Sequence, residues 1–271
     1  MGNWDAGAAL IVDGKLCAAA EEERFTRVKH APGNLPTNAM RFCLATAGLK
    51  IEDIDLVVFP GLTYKNIVSR LSEYFKMVFG HSPNIELCDH HQAHAAVAFY
   101  TSGFEDSLVV TYDFSGDGFA TTVSRASREG IKILERWPFP QSLGLFYAIM
   151  TQHLGFDFGE DEYKVMGLAS YGTADVDLSW LLKSTPAGYA LDPEILRRSG
   201  SGEPPFSPQE PFSNEVLAKR VGPSRIKGQT INMTHHNLAA SAQAQLEHVV
   251  LDLIAPYQEQ TQAKSLCLAG V

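Results

Sequence analysis

Cysteine is scarce and scattered. Cys17, Cys43, Cys88 and Cys267 are the only four, with no paired spacing among them. That excludes a disulfide framework, and the four read as small buried hydrophobes of a reducing compartment. Long apolar runs are missing too. None approaches the roughly 18 residues of a membrane-spanning helix, and Met1–Leu10 has no signal-peptide pattern, so no membrane partner is expected and the cytoplasm is the default location. Positive charge is in short supply, with 22 Lys and Arg against 31 Asp and Glu and a net charge of −9. Without a sustained basic block, a broad nucleic-acid footprint is excluded, although a local basic pocket is not. Convincing repeats and low-complexity tracts are absent as well. What is present, 45% hydrophobic and 20% charged residues in a chain of 271, is ordinary for a globular protein with a large core. The length suits one large domain or two smaller ones.

Strand and helix patterns alternate along the chain. Ala8–Val12, the Asp13-Gly14 turn and Lys15–Ala20 read as a hairpin. Asn38–Ala47 is helical, Ile54–Phe59 a strand, Tyr64–Phe79 a helix, Asn84–Cys88 a strand and His91–Ser102 a helix stopped by Gly103. Leu108–Asp113 and Phe119–Arg125 flank a Gly-rich turn, and Ile131–Trp137 adds a third strand. Leu143–Leu154 is an amphipathic helix. His236–Gln260 is a long helix with Thr234 as its cap, and Ser265–Leu268 is a final strand. The alternation, with hairpins at the start of each half, predicts α/β with a mixed sheet. Two subdomains are expected, over 1–105 and 106–271. The Pro-rich stretch near 175–225 reads as an irregular insertion or flap. Both ends of the chain look cut, because a hairpin begins almost at once and a buried strand comes last.

Several constellations carry possible chemistry. In "CDHHQAHAAVAFY", His90 and His94 lie one helical turn apart on one face, where two imidazoles can chelate a divalent ion. His91 points elsewhere, and the bland reading is helix capping with one solvated ring. Asp113 closes an apolar strand beside a Gly-rich turn, a costly place for a carboxylate unless it binds something. Two nitrogens and an oxygen suit Fe(II), Mn or Zn, and geometry alone does not choose among them. The turn Ser115–Gly118, "SGDG", can bring backbone N–H groups to a phosphate, or is a plain Asp-Gly hairpin. In "GEDEYKVMGLASYG", Glu160 and Lys164 form either an i,i+4 surface pair or part of a phosphate site. Glu21–Glu23 read as a solvated helix start. Arg24, Arg27, Lys29 and His30 read as an anion-attracting rim or as solvated charge.

Taken in order, "AAAEEERFTRVKH", "HHQAHAAVAFYTSGFEDSLVVTYDFSGDG", "LGLFYAIMTQHLGFDFGEDEYKVMGLASYG", "HNLAASAQAQLEHVVLDLI" and "LCLAG" resemble the NodU/CmcH-type O-carbamoyltransferase family over nearly the whole chain. The resemblance implies an actin/Hsp70-like (ribonuclease H-like) catalytic domain. It implies a metal held by His90, His94 and Asp113, with a further aspartate ligand downstream of this chain. Asp5, Lys29, His30 and Lys164 become catalytic candidates. Ser115, Gly116, Asp117, Gly118, Glu160 and Lys164 become candidates for holding ATP or carbamoyl adenylate. The implied reaction moves a carbamoyl group, from carbamoyl phosphate through carbamoyl adenylate, to the hydroxyl of a sugar-like or natural-product acceptor. The implied partner is a C-terminal YrdC-like domain that makes the adenylate. This chain then reads as an incomplete N-terminal portion, inactive alone. It departs from the family where Trp4 stands beside Asp5 in place of a histidine. The competing reading is a non-catalytic nucleotide- or partner-binding remnant of the same fold.

Overall fold

The computed structural model describes residues 5–195 and 214–270. The chain divides into two compact units, Met1–Asp89 and His90–Val271. Among the described residues, no helix is long and apolar enough to cross a membrane.

The first unit opens on β1 (Gly7–Val12) and β2 (Lys15–Glu21), an antiparallel hairpin. Its two turn residues, Asp13 and Gly14, have φ of 51° and 76°, as a two-residue turn that matches strand twist requires. After the short α1 (Glu23–Thr26), α2 (Thr37–Ala47) packs on the hairpin. β3 (Leu56–Pro60) and β4 (Asn84–Cys88) pair in parallel across α3 (Ile67–Phe79). Ile67, Leu71 and Phe75 of α3 bury against Val57, Phe59, Ile85 and Leu87, alternate positions that share one face of the strand pair.

One residue of the acidic run behaves differently from a solvated helix start. Glu22 is buried, and its carboxylate accepts from Asn38 N, Ala39 N and Asn38 Nδ2 at 2.9, 2.9 and 2.7 Å. Pro36 precedes α2 and offers no side-chain cap, so Glu22 satisfies the first-turn donors from 16 residues upstream.

The second unit is layered. α4 (His90–Tyr100) lies on one face of a four-stranded sheet of order β10–β5–β6–β7, made of β5 (Asp106–Gly116), β6 (Phe119–Ser127), β7 (Gly130–Pro138) and β10 (Leu266–Gly270). β10 runs parallel to β5, and the other pairs are antiparallel, so the sheet is mixed, as expected. α5 (Leu143–His153) and α8 (Met233–Thr261) cover the opposite face, and α6 (Glu162–Ala169) packs on both. The strand period of two divides β5. Leu108 and Val110 enter the core under α5 and α8, whereas Val109 packs with Ala95 and Phe99 of α4.

Four local expectations need correction. α5 is not amphipathic: nine of its eleven residues are buried, because sheet and α8 enclose it. The cap of α8 is Asn232, whose Oδ1 accepts from His235 N while His235 Nδ1 accepts from Asn232 N. Cys43 and Cys267 are buried, but Cys17 is exposed. The 175–225 stretch holds regular structure: the hairpin β8 (Leu182–Thr185) and β9 (Gly188–Leu191), and α7 (Asn214–Val221). At its end the buried Arg225 donates to Leu154 O and Gly155 O at 2.6 and 3.1 Å, capping the C-terminus of α5. The part of that stretch over 196–213 lies outside the described residues.

Candidate metal centre

The centre forms where the first turn of α4 meets the end of β5. Residues 109, 111 and 113 of β5 share one face of the strand, and α4 packs on that face, so Asp113 meets the helix. Helix periodicity puts His90 and His94 side by side above it. His90 Nε2 lies 2.5 Å from Asp113 Oδ2, His94 Nε2 lies 3.5 Å from the same oxygen, and the two ring nitrogens are 3.1 Å apart. Ligand atoms at about 2.0–2.2 Å from one small cation sit roughly 3–3.6 Å from each other. Two of the three separations, 3.1 and 3.5 Å, fall in that range, while His90 and Asp113 sit at hydrogen-bond distance and would have to part slightly; the donor types are those a divalent ion takes.

Asp113 is 8% exposed. Burial opposes its ionisation. The hydrogen bonds from His90 and His94, together with Phe114 N at 2.6 Å, outweigh that and hold its carboxyl well below the usual carboxylate range. It is a carboxylate at neutral pH.

The surroundings are shaped to fit. A Cβ on Gly116 would come within 2.0 Å of His90 Cδ2, so only glycine leaves space for that ring. Asp117 (φ 52°) and Gly118 (φ 88°) form the tight β5–β6 turn, and Asp117 Oδ2 accepts from His90 N at 3.0 Å, capping α4. Ser142 begins α5, accepts from Leu145 N, and its hydroxyl contacts Asp113 O and Phe114 O at 2.9 and 2.8 Å. A Cβ on Gly144 would meet Asp113 C at 2.7 Å, so α5 seats directly on the backbone of the carboxylate.

The remaining candidates sit as follows. Ser115 is exposed at the end of β5. Glu160 is exposed in the loop before α6. Phe114 packs edge-on against Phe158, which brings that loop to the same end of β5 as Asp113. Lys164 Nζ lies 2.6 Å from Asp161 Oδ1, and this hydrogen bond raises the Lys164 pKa. Asp161 directly precedes α6, a position at which an Asp is a recognisable sequence signal.

In the first unit, Asp5 Oδ1 is 2.7 Å from His30 Nδ1, and Asp5 N donates to His30 O at 2.9 Å. Glu23 Oε2 accepts from His30 N at 2.7 Å, so Asp5, Glu23 and His30 form a second group with ligand-type atoms close together. Lys29 precedes His30 directly. Arg24 is engaged by Glu21 and Glu23 at 2.8 and 3.4 Å, so this part of the basic run is neutralised locally. Glu23 thus departs from a solvated helix start. Nothing in the local pattern reveals that it holds a backbone N–H seven residues away.

His91 points elsewhere, as its place on the helix predicts, and it points into the protein: it is 1% exposed, with Nδ1 at 2.8 Å from Thr111 Oγ1 and Nε2 at 3.1 Å from Phe119 O. Burial lowers its pKa and so favours the neutral ring.

Comparison with known proteins agrees with the motifs. Nodulation protein NolNO of Sinorhizobium fredii is 31% identical over 297 residues, covering 98% of this chain and 40% of that protein. Nodulation protein NolO of Bradyrhizobium diazoefficiens is 34% identical over 189 residues, covering 67% of this chain and 30% of that protein. The uncharacterized protein sll1178 of Synechocystis is 31% identical over 309 residues, covering 98% of this chain and 48% of that one. The chain thus spans less than half the length of these relatives. Among solved structures, HypF of T. kodakarensis aligns over 99% of this chain and 42% of its own, at 15% identity and a TM-score of 0.45. The family described as "Carbamoyltransferase N-terminus" matches residues 3–79 and 62–271, and with that coverage the chain belongs to the carbamoyltransferase family as its N-terminal part.

Proposed function

We propose that this chain is the N-terminal part of an O-carbamoyltransferase, in an actin/Hsp70-like fold, and that its second unit carries the metal centre of carbamoyl transfer. The observation that supports this most is the convergence of His90, His94 and Asp113 at the end of β5, within a chain of this family. A bound divalent ion, Fe(II) before Mn or Zn, would supply Lewis acidity toward the carbamoyl and phosphate oxygens of carbamoyl adenylate.

The chain's own residues have separate tasks in this reading. His90, His94 and the ionised Asp113 hold the ion, and Gly116 keeps the His90 ring in place. The β5–β6 turn, Ser115 to Gly118, presents backbone to the nucleotide, and Glu160 and Lys164 belong to the loop and helix that would face its phosphates. In the first unit, Asp5 holds His30 Nδ1, which orients the ring for proton transfer, and Lys29 supplies positive charge. The hydroxyl oxygen of the acceptor forms the new bond to the carbamoyl carbon. The bond from that carbon to the phosphate oxygen breaks, AMP leaves with the electron pair, and the hydroxyl proton passes to a base. Carbamoyl phosphate and ATP would reach the site as adenylate made by a YrdC-like partner domain.

The test is metal analysis of the purified chain and of His90→Ala and Asp113→Asn. One divalent ion per wild-type chain, lost in both variants, is the expected result. A wild-type chain that binds nucleotide but no ion would sink the metal reading and favour a non-catalytic nucleotide-binding remnant.

A further inference from the structure

The third histidine has a place of its own. His91 belongs to the face of α4 that carries Ala95 and Phe99, both buried, and not to the face that carries His90 and His94. An imidazole in an otherwise apolar stripe loses its hydration, and that loss is tolerable only when both nitrogens are hydrogen-bonded. Both are, and the partners fix the tautomer. Phe119 O can only accept, so Nε2 carries the hydrogen, and Nδ1 is left to accept from the Thr111 hydroxyl.

The positions of those partners matter more than their number. Thr111 stands two residues before Asp113 on the same face of β5. Phe119 opens β6 directly after the turn that gives Gly116 its space for the His90 ring and Asp117 its bond to His90 N. One side chain therefore ties the first turn of α4 to both strands that flank the centre. A slip of the helix by one strand residue would move the imidazoles by about 3.3 Å along β5. Metal ligands tolerate errors of only about 0.2 Å. Alanine and phenylalanine contacts elsewhere in the stripe are non-directional and do not set such a register.

We propose that His91 is a positioning residue: its ring, clamped between the Thr111 hydroxyl and Phe119 O, sets the register of α4 on β5 and β6 so that His90, His94 and Asp113 meet at one ion. The inference rests on the metal reading above. It adds that an intact ligand set binds weakly when the clamp is broken.

The experiment compares Thr111→Val, which keeps the shape and removes the hydroxyl, with Thr111→Ser, which keeps the hydroxyl. His91→Leu is the direct variant, and the Thr111 pair decides if it does not fold. Zn(II) affinity is read by competition with a chromophoric chelator, ligand geometry by the absorption spectrum of the Co(II)-loaded chain, and stability by thermal melting. We expect Thr111→Val to weaken Zn(II) binding about tenfold or more and to alter the Co(II) spectrum, as loss of an outer-shell partner does. Thr111→Ser should stay within about threefold of wild type on the same scale. If Thr111→Val only melts earlier, with affinity and spectrum unchanged, His91 merely stabilises and the proposal is overturned. Equal losses in Thr111→Ser and Thr111→Val overturn it as well, because the hydroxyl would not be the cause. A wild-type chain that binds neither Zn(II) nor Co(II) fails at the first measurement, which overturns the metal reading itself before any variant is compared.

Discussion

Adding one methyl group at Gly116 should disable the candidate metal centre without replacing any ligand. The added Cβ would lie 2.0 Å from His90 Cδ2, 2.2 Å from Cγ and 2.6 Å from Nε2. Carbon atoms rest at about 3.5–4.0 Å, so the ring must retreat by roughly 1.5 Å. Ligand placement tolerates about 0.2 Å, so His90 would be lost to the ion and a three-point site would become a two-point one. Gly116 does not adopt a left-handed φ, and alanine brings no backbone strain there, so the effect falls on the ring alone. Gly118 is the matched control. Its φ is +88°, and a Cβ there meets nothing within 4 Å. Gly118→Ala should therefore cost about 1–2 kcal/mol of stability through backbone strain and leave ion binding intact. Isothermal titration with Zn(II), alongside urea denaturation of both variants, separates the two effects. We expect Gly116→Ala to lose at least about a hundredfold in affinity, near 2.7 kcal/mol. An affinity within about twofold of wild type would refute the steric argument and the role of His90 as a ligand.

Other consequences follow from groups away from the centre. His153 is buried, and burial, set against a bond to the Gly222 backbone, holds its pKa down at about 4 against 6.5 unfolded. The unfolded chain then binds the extra proton first, so stability should fall as pH drops from about 6.5 toward 4, by up to about 3 kcal/mol; His153→Gln should flatten that slope in urea denaturation at several pH values, and an unchanged slope would refute the assignment. Glu22→Ala leaves the first-turn donors of α2 without acceptors and should cost about 2–4 kcal/mol, whereas a loss below about 0.5 kcal/mol would show that water replaces the carboxylate. Lys164→Ala should weaken nucleotide binding about tenfold, measured by calorimetry on the whole catalytic domain, if its ammonium turns from Asp161 to phosphate; affinity within about twofold would leave Lys164 as the partner of Asp161 alone.

The parts that the sequence determined by itself are those whose causes lie within a few residues. The Asp13-Gly14 turn needs two left-handed residues and says so in its composition. The strand Asn84–Cys88 appears with the bounds read from its pattern. The i,i+4 spacing of His90 and His94 guarantees a shared face once the segment is helical, and the alternation of Leu108–Asp113 puts Asp113 on a definite side of its strand. Only the tertiary structure decided which faces meet. That Asp113 rises under α4, that Asp117 caps a helix beginning 27 residues earlier, and that Glu22 caps one beginning after Pro36 depend on how elements stack. The same holds for α5, whose pattern suggests a wet side although sheet and α8 enclose it, and for His91, whose direction the helix sets but whose burial it does not. Its burial and both its hydrogen bonds come from strands 20 and 28 residues away. Local chain geometry sets the direction of a side chain relative to its own element, but the partner that satisfies a buried polar atom is supplied by packing, which no short-range pattern encodes.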